Sequence, residues 1–476
     1  MKVLFVASEV SPLAKVGGLG DVISSLPHAL AQLGHDVRVV IPQYGGIDVS
    51  KYQPAMVKGN FEVVIADEKE SACSNIITLN NGVLVYLIKN SRYFGGKEVY
   101  GGDDLRRFLF FSKAVFRLLP LLSWQPDVVH CHDWHSALLV RWLKKSGYRG
   151  ALVFTIHNLA YQGLFDELFL AESGLSEDWS EYPADAPRGS LNFMSQGILY
   201  ADIISTVSET YAKEILTPEY GAGLDPLLRY RHKDLIGILN GIDYEEFNPS
   251  NDPYIVANFD SSTPEQRIYN KLALQKQVNL PQSPESPLIG MVQRLDEQKG
   301  FDILEKGLPS LMDETGAQVV ILGRGREYYE NMLRQIAGKY PGRLALFVGF
   351  DNALSHLIYS ASDIFLMPSR FEPCGLGQLI AMRYGAIPVV RHTGGLVDTV
   401  PELTTDLSRG NGFVFHEYTP EAMVAAVKQG IDILREQKTS WYQAVQRIMK
   451  IDFSWQASAP KYEAAYRRAL EMQKSS

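Results

Sequence analysis

The loop of residues 369–377 carries residue types that could bind a charged ligand. Arg370 and Glu372 lie in this loop, glycines follow at 375 and 377, and an apolar helical pattern comes next. The start of a helix offers unpaired N–H groups and the positive end of the helix dipole to an anion. A carboxylate beside such an anion site suits a ligand with both hydroxyls and phosphates, such as a nucleotide sugar. The structural alternative is that Glu372 stabilises the helix dipole, and the two roles are compatible.

A second glycine-rich loop follows the first predicted strand and begins the next helix. It contains Lys15, Gly17, Gly18 and Gly20, and its glycines would let backbone N–H groups approach an anion to which Lys15 adds a full charge. Its spacing fits neither G-x-G-x-x-G nor the P-loop. We favour ligand binding over a tight turn that needs flexible residues.

Two cations, Arg294 and Lys299, follow the first strand of the second half of the chain. Charges at the carboxyl end of a strand could clamp a diphosphate between a planar guanidinium and a compact ammonium. Loop charges are usually solvated, but the position beside a predicted cleft favours a ligand role.

Histidines cluster in residues 130–135, on either side of Asp133. Their spacing does not match common zinc sites, so we predict structural or substrate contacts and no metal site. His157 and Asn158 end the next predicted strand and would reach the same edge of the sheet. Moreover, no two aspartates in the sequence are two residues apart, so no D-x-D motif supplies a metal for a diphosphate.

Short apolar runs alternate with helical patterns along the chain, which predicts an α/β protein with mainly parallel sheets. An antiparallel insertion is expected within residues 61–88. Two doubly wound halves would create a cleft at the carboxyl ends of their strands, where ligands bind in such folds. The predicted strands are residues 3–7, 37–41, 128–131, 152–156 and 203–207 in the first half, and 288–292, 318–322, 344–348, 364–367 and 387–390 in the second. The predicted helices include residues 21–33, 134–145 and 455–472.

The composition is that of a globular protein of two or three domains: 476 residues, 46% of them hydrophobic and 21% charged. A net charge of −8 argues against general nucleic-acid binding. No apolar run approaches the ~20 residues that span a bilayer, so no membrane partner is expected. Three scattered cysteines indicate a reducing cytoplasm, with a plastid as the alternative if a transit peptide has been removed.

Taken together, these segments resemble the bacterial glycogen synthase and plant starch synthase family along essentially the whole chain. The resemblance implies a GT-B fold, in which two Rossmann-like doubly wound domains face each other across a deep cleft. It implies one domain of residues 1–245 plus 456–476 and another of residues 246–455. The motifs that carry it are residues 15–19, 132–135, 157–163, 239–243, 294–300, 369–376 and 391–396.

The resemblance also implies retaining transfer of glucose from ADP-glucose to the non-reducing 4-hydroxyl of an α-1,4-glucan, without a cofactor or a metal. Arg294 and Lys299 would bind the diphosphate, Glu372 would hold glucose hydroxyls, and His157 would lie against the sugar. These four are the expected catalytic residues. The expected substrate-binding residues are Lys15, Gly17, Gly18, Asp21, Asp133, Asn158, Asn240, Phe350, Cys374, Gly375, Leu376, Thr393 and Gly394.

Three residues depart from the pattern of the family. Val16 stands where many bacterial relatives have threonine, and Gly377 where a polar residue is common. Phe350 replaces a tyrosine that often packs against the adenine, so the aromatic face is kept without its hydroxyl. These departures leave the choice of nucleotide less secure than the chemistry.

Three other functions fit part of the sequence. A GT-B glycosyltransferase with another donor or a small acceptor would use the same phosphate clamp. A catalytically silent glucan-binding protein would not need Lys15, Arg294, Lys299 and Glu372 together. A phosphorylase would need a lysine-bound pyridoxal phosphate, for which no motif is present. The sequence predicts no oligomeric state.

Overall fold

The protein is described by a computed structural model that covers residues 1–183, 185–187 and 190–475. The described residues form two compact units. The first contains Met1–Gly241 and the stretch that begins at Trp455, and the second contains Ile242–Ser454.

The strands of the first unit are β1 (Lys2–Val6), β2 (Asp36–Pro42), β3 (Ala55–Ile65), β4 (Glu68–Thr78), β5 (Leu84–Lys89), β6 (Val128–His132), β7 (Ala151–Ile156), β8 (Ile203–Thr206) and β9 (Leu235–Gly237). Those of the second unit are β10 (Leu288–Val292), β11 (Gln318–Gly323), β12 (Leu344–Val348), β13 (Ile364–Met367), β14 (Ile387–Arg391) and β15 (Phe413–Phe415). All ten strands predicted from the sequence are confirmed, with ends that differ by at most two residues.

The helices are α1 (Gly18–Gln32), α2 (Ser91–Phe94), α3 (Asp104–Leu118), α4 (Trp134–Lys145), α5 (Glu167–Glu172), α6 (Ser176–Ser180), α7 (Met194–Tyr200), α8 (Glu209–Glu214), α9 (Asp225–Tyr230), α10 (Arg267–Gln277), α11 (Phe301–Thr315), α12 (Glu327–Lys339), α13 (Asn352–Ala361), α14 (Gly377–Arg383), α15 (Gly394–Thr399), α16 (Pro420–Glu436), α17 (Lys438–Ile448) and α18 (Trp455–Ser475). No helix in the described ranges is both long and apolar enough to span a membrane.

In the described part of the first unit, nine strands form one sheet in the order β3-β4-β5-β2-β1-β6-β7-β8-β9. Pairing is parallel from β5 to β9, and β4 pairs antiparallel with both β3 and β5. This confirms the predicted antiparallel insertion. The chain adds strands on one side of β1 and then returns to its other side at β6. The topological switch point of this sheet therefore lies between β1 and β6.

The second unit repeats this plan in a sheet of six strands within the described residues, in the order β12-β11-β10-β13-β14-β15. All of its pairings are parallel. The chain runs from β10 outward to β12 and then returns to β13, so the switch point lies between β10 and β13. Ligands of doubly wound sheets bind outside the strand ends at such points.

Each sheet is held by its own apolar core. In the first unit α18 packs against this core with residues spaced three or four apart, the period of one helix face: Trp455, Ala459, Tyr462, Tyr466 and Ala469 are all buried. In the second unit the buried faces of β10, β11 and β13 pack with α11. Both cores fix the carboxyl ends of the strands from which the candidate residues extend.

Candidate functional site

Two loops meet at the switch point of the second unit. One follows β10 and carries Arg294 and Lys299, and the other follows β13 and carries Glu372. The loops are joined by a hydrogen bond that the N–H of Arg370 donates to the carbonyl of Gln298, at 2.8 Å. The structure thus brings together three residues that are far apart in the sequence.

Lys299 and Glu372 form a buried ion pair. The Nζ of Lys299 lies 2.5 Å from Oε2 of Glu372, and the side chains are only 15% and 6% exposed. The hydroxyl of Ser369 donates to the same carboxylate oxygen, at 2.9 Å. An ammonium group has three donors, so Lys299 can hold Glu372 and still donate to a second anion.

Close packing explains the glycines of these loops. Gly300 has φ +82°, and a Cβ on it would lie 1.9 Å from the carbonyl oxygen of Pro368 in the other loop. Gly375 has φ +74°, and a Cβ there would meet the side chain of Gln378. Larger residues at these positions would separate Lys299 from Glu372.

An arginine cluster surrounds the ion pair. Arg370 and Arg391 both lie over the ring of Tyr418, at 4.9 and 5.2 Å from its centroid. Arg370 also pairs with Asp302, at 2.9 Å. Arg294 is about half exposed, with Nη1 3.8 Å from Oδ2 of Asp296. The cluster thus places several guanidinium groups at this edge of the sheet, and Arg294 and Arg370 are also paired with acids of the loop after β10 and of α11.

The other predicted residues of the second unit lie on neighbouring segments. Leu376 precedes α14, and Thr393 precedes α15, which begins at Gly394. Cys374 is buried, and the N–H of Gly395 donates to the carbonyl of Glu372 at 3.0 Å, so the start of α15 packs against this loop. Phe350 follows β12 and is 82% exposed, the most exposed large apolar side chain in the described ranges.

Several predicted residues of the first unit lie on the loop and helix that follow β1, beside its own switch point. Lys15, Gly17 and Gly18 lie between β1 and α1, and Nζ of Lys15 is 2.6 Å from Oδ1 of Asp21 in that helix. Beneath this loop, Oε2 of Glu9 accepts N–H groups of Val16 at 2.7 Å and Gly17 at 3.0 Å.

Glu9 is a buried carboxylate that accepts hydrogen bonds from neutral groups. Besides the two N–H groups, it accepts the hydroxyl of Tyr100. Burial raises the pKa of Glu9 from its ordinary value, while these hydrogen bonds oppose the increase. Glu9 therefore fixes the shape of the glycine-rich loop from inside the unit.

Asp133 follows β6 in a strained conformation, with φ 54° and ψ −179°. Such a conformation costs about 1–3 kcal/mol in a residue other than glycine and is concentrated at functional sites. The strain directs Oδ1 of Asp133 to the backbone N–H of His157, at 2.8 Å. Burial raises the pKa of Asp133 to about 7, although N–H groups of His157 and Asn158 oppose the increase. The positive φ had no signal in the sequence, since the residue is not glycine.

The histidines beside Asp133 are buried among protein groups. His130 contacts Tyr466 at 2.8 Å and Thr155 at 2.6 Å, whereas His132 contacts His157 at 3.0 Å. Burial lowers the pKa of His135 to about 3. In the described ranges no three or more His, Cys, Asp or Glu side chains are arranged so that they could hold a metal ion.

Two asparagines complete the predicted set. Asn158 is partly exposed, and its Oδ1 accepts the N–H of Ala160 at 3.1 Å. Asn240 follows β9 and is buried, with no hydrogen-bond partner for its Oδ1 among the described residues. Such an unpaired buried acceptor is costly and is typical of a position that a ligand donor can satisfy.

Sequence reasoning missed the groups behind the candidate residues. Glu9 and Tyr100 are 91 residues apart, and no local pattern joins them. The sequence places His132 in a histidine cluster but gives no sign of its contact with His157, which depends on the pairing of β6 with β7. The one available signal was the interruption of the first apolar strand by an acid at position 9.

Comparisons with known proteins agree along the whole chain. Residues 2–230 match the starch synthase catalytic domain, and residues 275–445 match glycosyl transferases group 1. A glycogen synthase of Desulforudis audaxviator is 44% identical, and the match covers 99% of this chain and 97% of the relative. A glycogen synthase of Moorella thermoacetica is also 44% identical, over 100% and 98% of the two chains.

A solved structure supports the same likeness. The catalytic domain of starch synthase IV from Arabidopsis thaliana, bound to ADP and acarbose, superimposes with a TM-score of 0.91 at 35% identity. The match covers 99% of both chains. This likeness confirms the GT-B fold class predicted from the sequence.

Proposed function

This chain belongs to the glycogen and starch synthase family, and from that premise we propose that it transfers glucose from ADP-glucose to an α-1,4-glucan. Each turnover would lengthen the glucan by one residue at its non-reducing 4-hydroxyl, with retention at the anomeric carbon, and release ADP. We propose that this reaction takes place in the cytoplasm and that the acceptor glucan is glycogen or starch.

The observation that carries the proposal is the Lys299–Glu372 pair at the switch point of the second unit. A cation and a carboxylate 2.5 Å apart can bind, side by side, a phosphate and a hydroxyl of the sugar that carries this phosphate. Arg294 is in the same loop as Lys299 and supplies a planar guanidinium for the diphosphate. A nucleotide sugar needs this combination.

The reaction follows from this distribution of charge. The bond between the anomeric carbon and the diphosphate oxygen breaks, and its electron pair stays on the phosphate. Lys299 and Arg294 stabilise that developing charge, while Glu372 holds glucose hydroxyls. The acceptor 4-hydroxyl oxygen then bonds to the anomeric carbon from the same face, and its proton passes to the departing phosphate oxygen.

The remaining proposed groups are residues of the first unit. Lys15 and the N–H group of Gly18 offer positive charge to the diphosphate. Gly17 contributes to the shape of the loop, because its own N–H is donated to Glu9. His157 contacts the sugar, and Asp133 lies near the acceptor. Asp21 and Asn240 position the donor. Because lysine and arginine neutralise the phosphates, the proposal requires no metal.

Substrate binding is completed by residues on segments next to the ion pair. The ring of Phe350 packs against the adenine, and N–H groups at Gly375 and Leu376 face the phosphate. Further donor contacts come from Asn158, Cys374, Thr393 and Gly394. The solved structure of the relative bound to ADP and acarbose supports this proposal, because ADP is the expected product of the transfer.

The proposal is tested by the structure of the product. The chain is incubated with ADP-glucose and a maltooligosaccharide, and the anomeric protons of the product are observed by NMR. New α-1,4 signals with stoichiometric ADP release are expected. Glu372→Gln should abolish transfer, whereas the matched control Glu402→Gln at an exposed position should not. Transfer to a small sugar only, or glucan binding without transfer, would reject the proposal.

A further inference from the structure

A pair of histidines connects the sheet of the first unit to the candidate site. His132 is the last residue of β6 and is fully buried, whereas His157 follows β7 and is partly exposed. Nδ1 of His132 lies 3.0 Å from Nε2 of His157, so one of these nitrogens must donate a hydrogen to the other. The direction of that hydrogen bond decides where His157 carries its own proton.

Both rings are neutral at physiological pH. Burial lowers the pKa of His157 to about 3. Burial, with help from the neighbouring rings of His130 and His157, lowers the pKa of His132 well below its usual range. Each ring therefore has one N–H and one acceptor nitrogen.

The far nitrogen of His132 settles the direction. Its Nε2 is buried and has no hydrogen-bond partner among the described residues. If His157 donated, His132 would have to keep its N–H on this atom, and a buried N–H without an acceptor is rare and costly. If His132 donates from Nδ1, its Nε2 is an unpaired acceptor, which buried sites tolerate more often than an unpaired N–H.

The ring of His132 cannot rotate freely to exchange the positions of its two nitrogens. It stacks on Phe5, with centroids 5.2 Å apart and planes 17° apart, and lies 4.0 Å from the ring of His130. The hydroxyl of Ser136 accepts the backbone N–H of His132 at 2.8 Å and donates to its carbonyl at 2.9 Å. Both the ring and the backbone are thus held in place.

From these contacts we propose that His132 is a positioning residue that fixes His157 in its Nδ1–H tautomer. His157 then presents an N–H donor, and the group that it recognises is a hydroxyl oxygen of the sugar. The identity of the ligand rests on the proposed function, whereas the tautomer does not.

The tautomer is measured directly on the whole chain. Histidine labelled with 13C and 15N is incorporated, and solid-state carbon–nitrogen correlation spectra distinguish protonated from unprotonated Nδ1 and Nε2. The signals of His157 are identified by their loss in His157→Asn. The expected result is a protonated Nδ1 and an unprotonated Nε2 on His157, and the opposite pattern in the wild-type protein would overturn the proposal.

Variants of His132 test its part. His132→Leu removes the donor, so His157 should gain the Nε2–H form and kcat/KM should fall about tenfold, the effect of one neutral hydrogen bond. His132→Asn restores a donor and should bring back both the Nδ1–H pattern and most of the activity. An unchanged His157 spectrum in His132→Leu would refute the role of His132.

His130→Leu is the matched control, because His130 is equally buried but bonds to Thr155 and Tyr466 rather than to His157. It should lower the unfolding midpoint without changing the tautomer of His157. A change in the tautomer of His157 in this control would show that loss of packing around the two rings is enough to cause it, and would overturn the proposal. Absence of transfer from ADP-glucose in the wild-type protein would reject the proposed function and leave the spectroscopic result standing.

Discussion

Lys299→Ala should lower both the free energy of unfolding and the rate of glucose transfer. Lys299 pairs with the carboxylate of Glu372 in the folded protein, and in the proposed reaction it also stabilises the departing diphosphate. At 2.5 Å from Oε2 of Glu372, the Coulomb attraction is about 7 kcal/mol at an effective dielectric constant of ~20. Desolvation of both groups offsets part of this. The loss on removing one partner of a buried pair is accordingly about 3–5 kcal/mol, since Glu372 would keep the hydroxyl of Ser369 but lose its cation.

The catalytic loss has a different origin. Removing one preorganised charge from the site of a developing anion costs about 10²–10³-fold in rate. Transfer from ADP-glucose is measured as kcat/KM, and urea unfolding is followed by hydrogen exchange so that the second unit is reported separately. Lys306→Ala, which removes an exposed lysine of α11, is the matched control and should change neither quantity.

A double variant separates the two routes. Lys299→Ala with Glu372→Gln removes both charges, so the unfolding free energy should recover relative to Lys299→Ala, while transfer stays lost. The reasoning would be refuted if Lys299→Ala kept kcat/KM within a factor of two of wild type. It would also be refuted if the double variant were no more stable than Lys299→Ala.

Three further predictions concern the groups around the site. Glu9→Gln weakens the acceptor that holds the N–H groups of Val16 and Gly17, so KM for ADP-glucose should rise about tenfold; an unchanged KM would show that the loop does not need Glu9. Phe350→Ala should raise the same KM about tenfold through lost base stacking without changing the unfolding midpoint. Phe350→Tyr keeps the aromatic ring and should leave this KM at the wild-type value. The folded-state pKa of Asp133, about 7, lies above its ordinary value of 3.8, so this group favours folding most at low pH, and its contribution is lost as pH rises from 4 to 7. Asp133→Asn stays neutral and should flatten that decline in urea unfolding measured between pH 4 and 8, and an unchanged slope would contradict the assignment.

Much of the fold could be predicted because buried parallel strands are continuous apolar runs. The bounds of β10, β12 and β13 were predicted to the residue, as was α4. The strands β9 and β15 were missed, since three residues give too short a pattern to recognise. The helix α1 begins three residues earlier than predicted, because glycines in its first turn give no periodic signal.

The candidate site was predictable only in part. Loops that follow strands must lie at one edge of a parallel sheet, and this placed Arg294, Lys299 and Glu372 together. The contact between the last two could not be foreseen, since it depends on how Gly300 packs against Pro368. The support that Glu9 gives to its loop likewise requires a buried position that no local pattern encodes.

The measurement that tests the central claim most directly is transfer of labelled glucose to glycogen from ADP-glucose and UDP-glucose in parallel, with EDTA present. We predict rapid incorporation from ADP-glucose into α-1,4-linked product, at the same rate with and without the chelator. Preference for UDP-glucose would contradict the assignment of the base, and loss of activity in EDTA would contradict charge neutralisation by Lys299 and Arg294. No transfer from either donor, with glycogen still bound, would contradict the account as a whole.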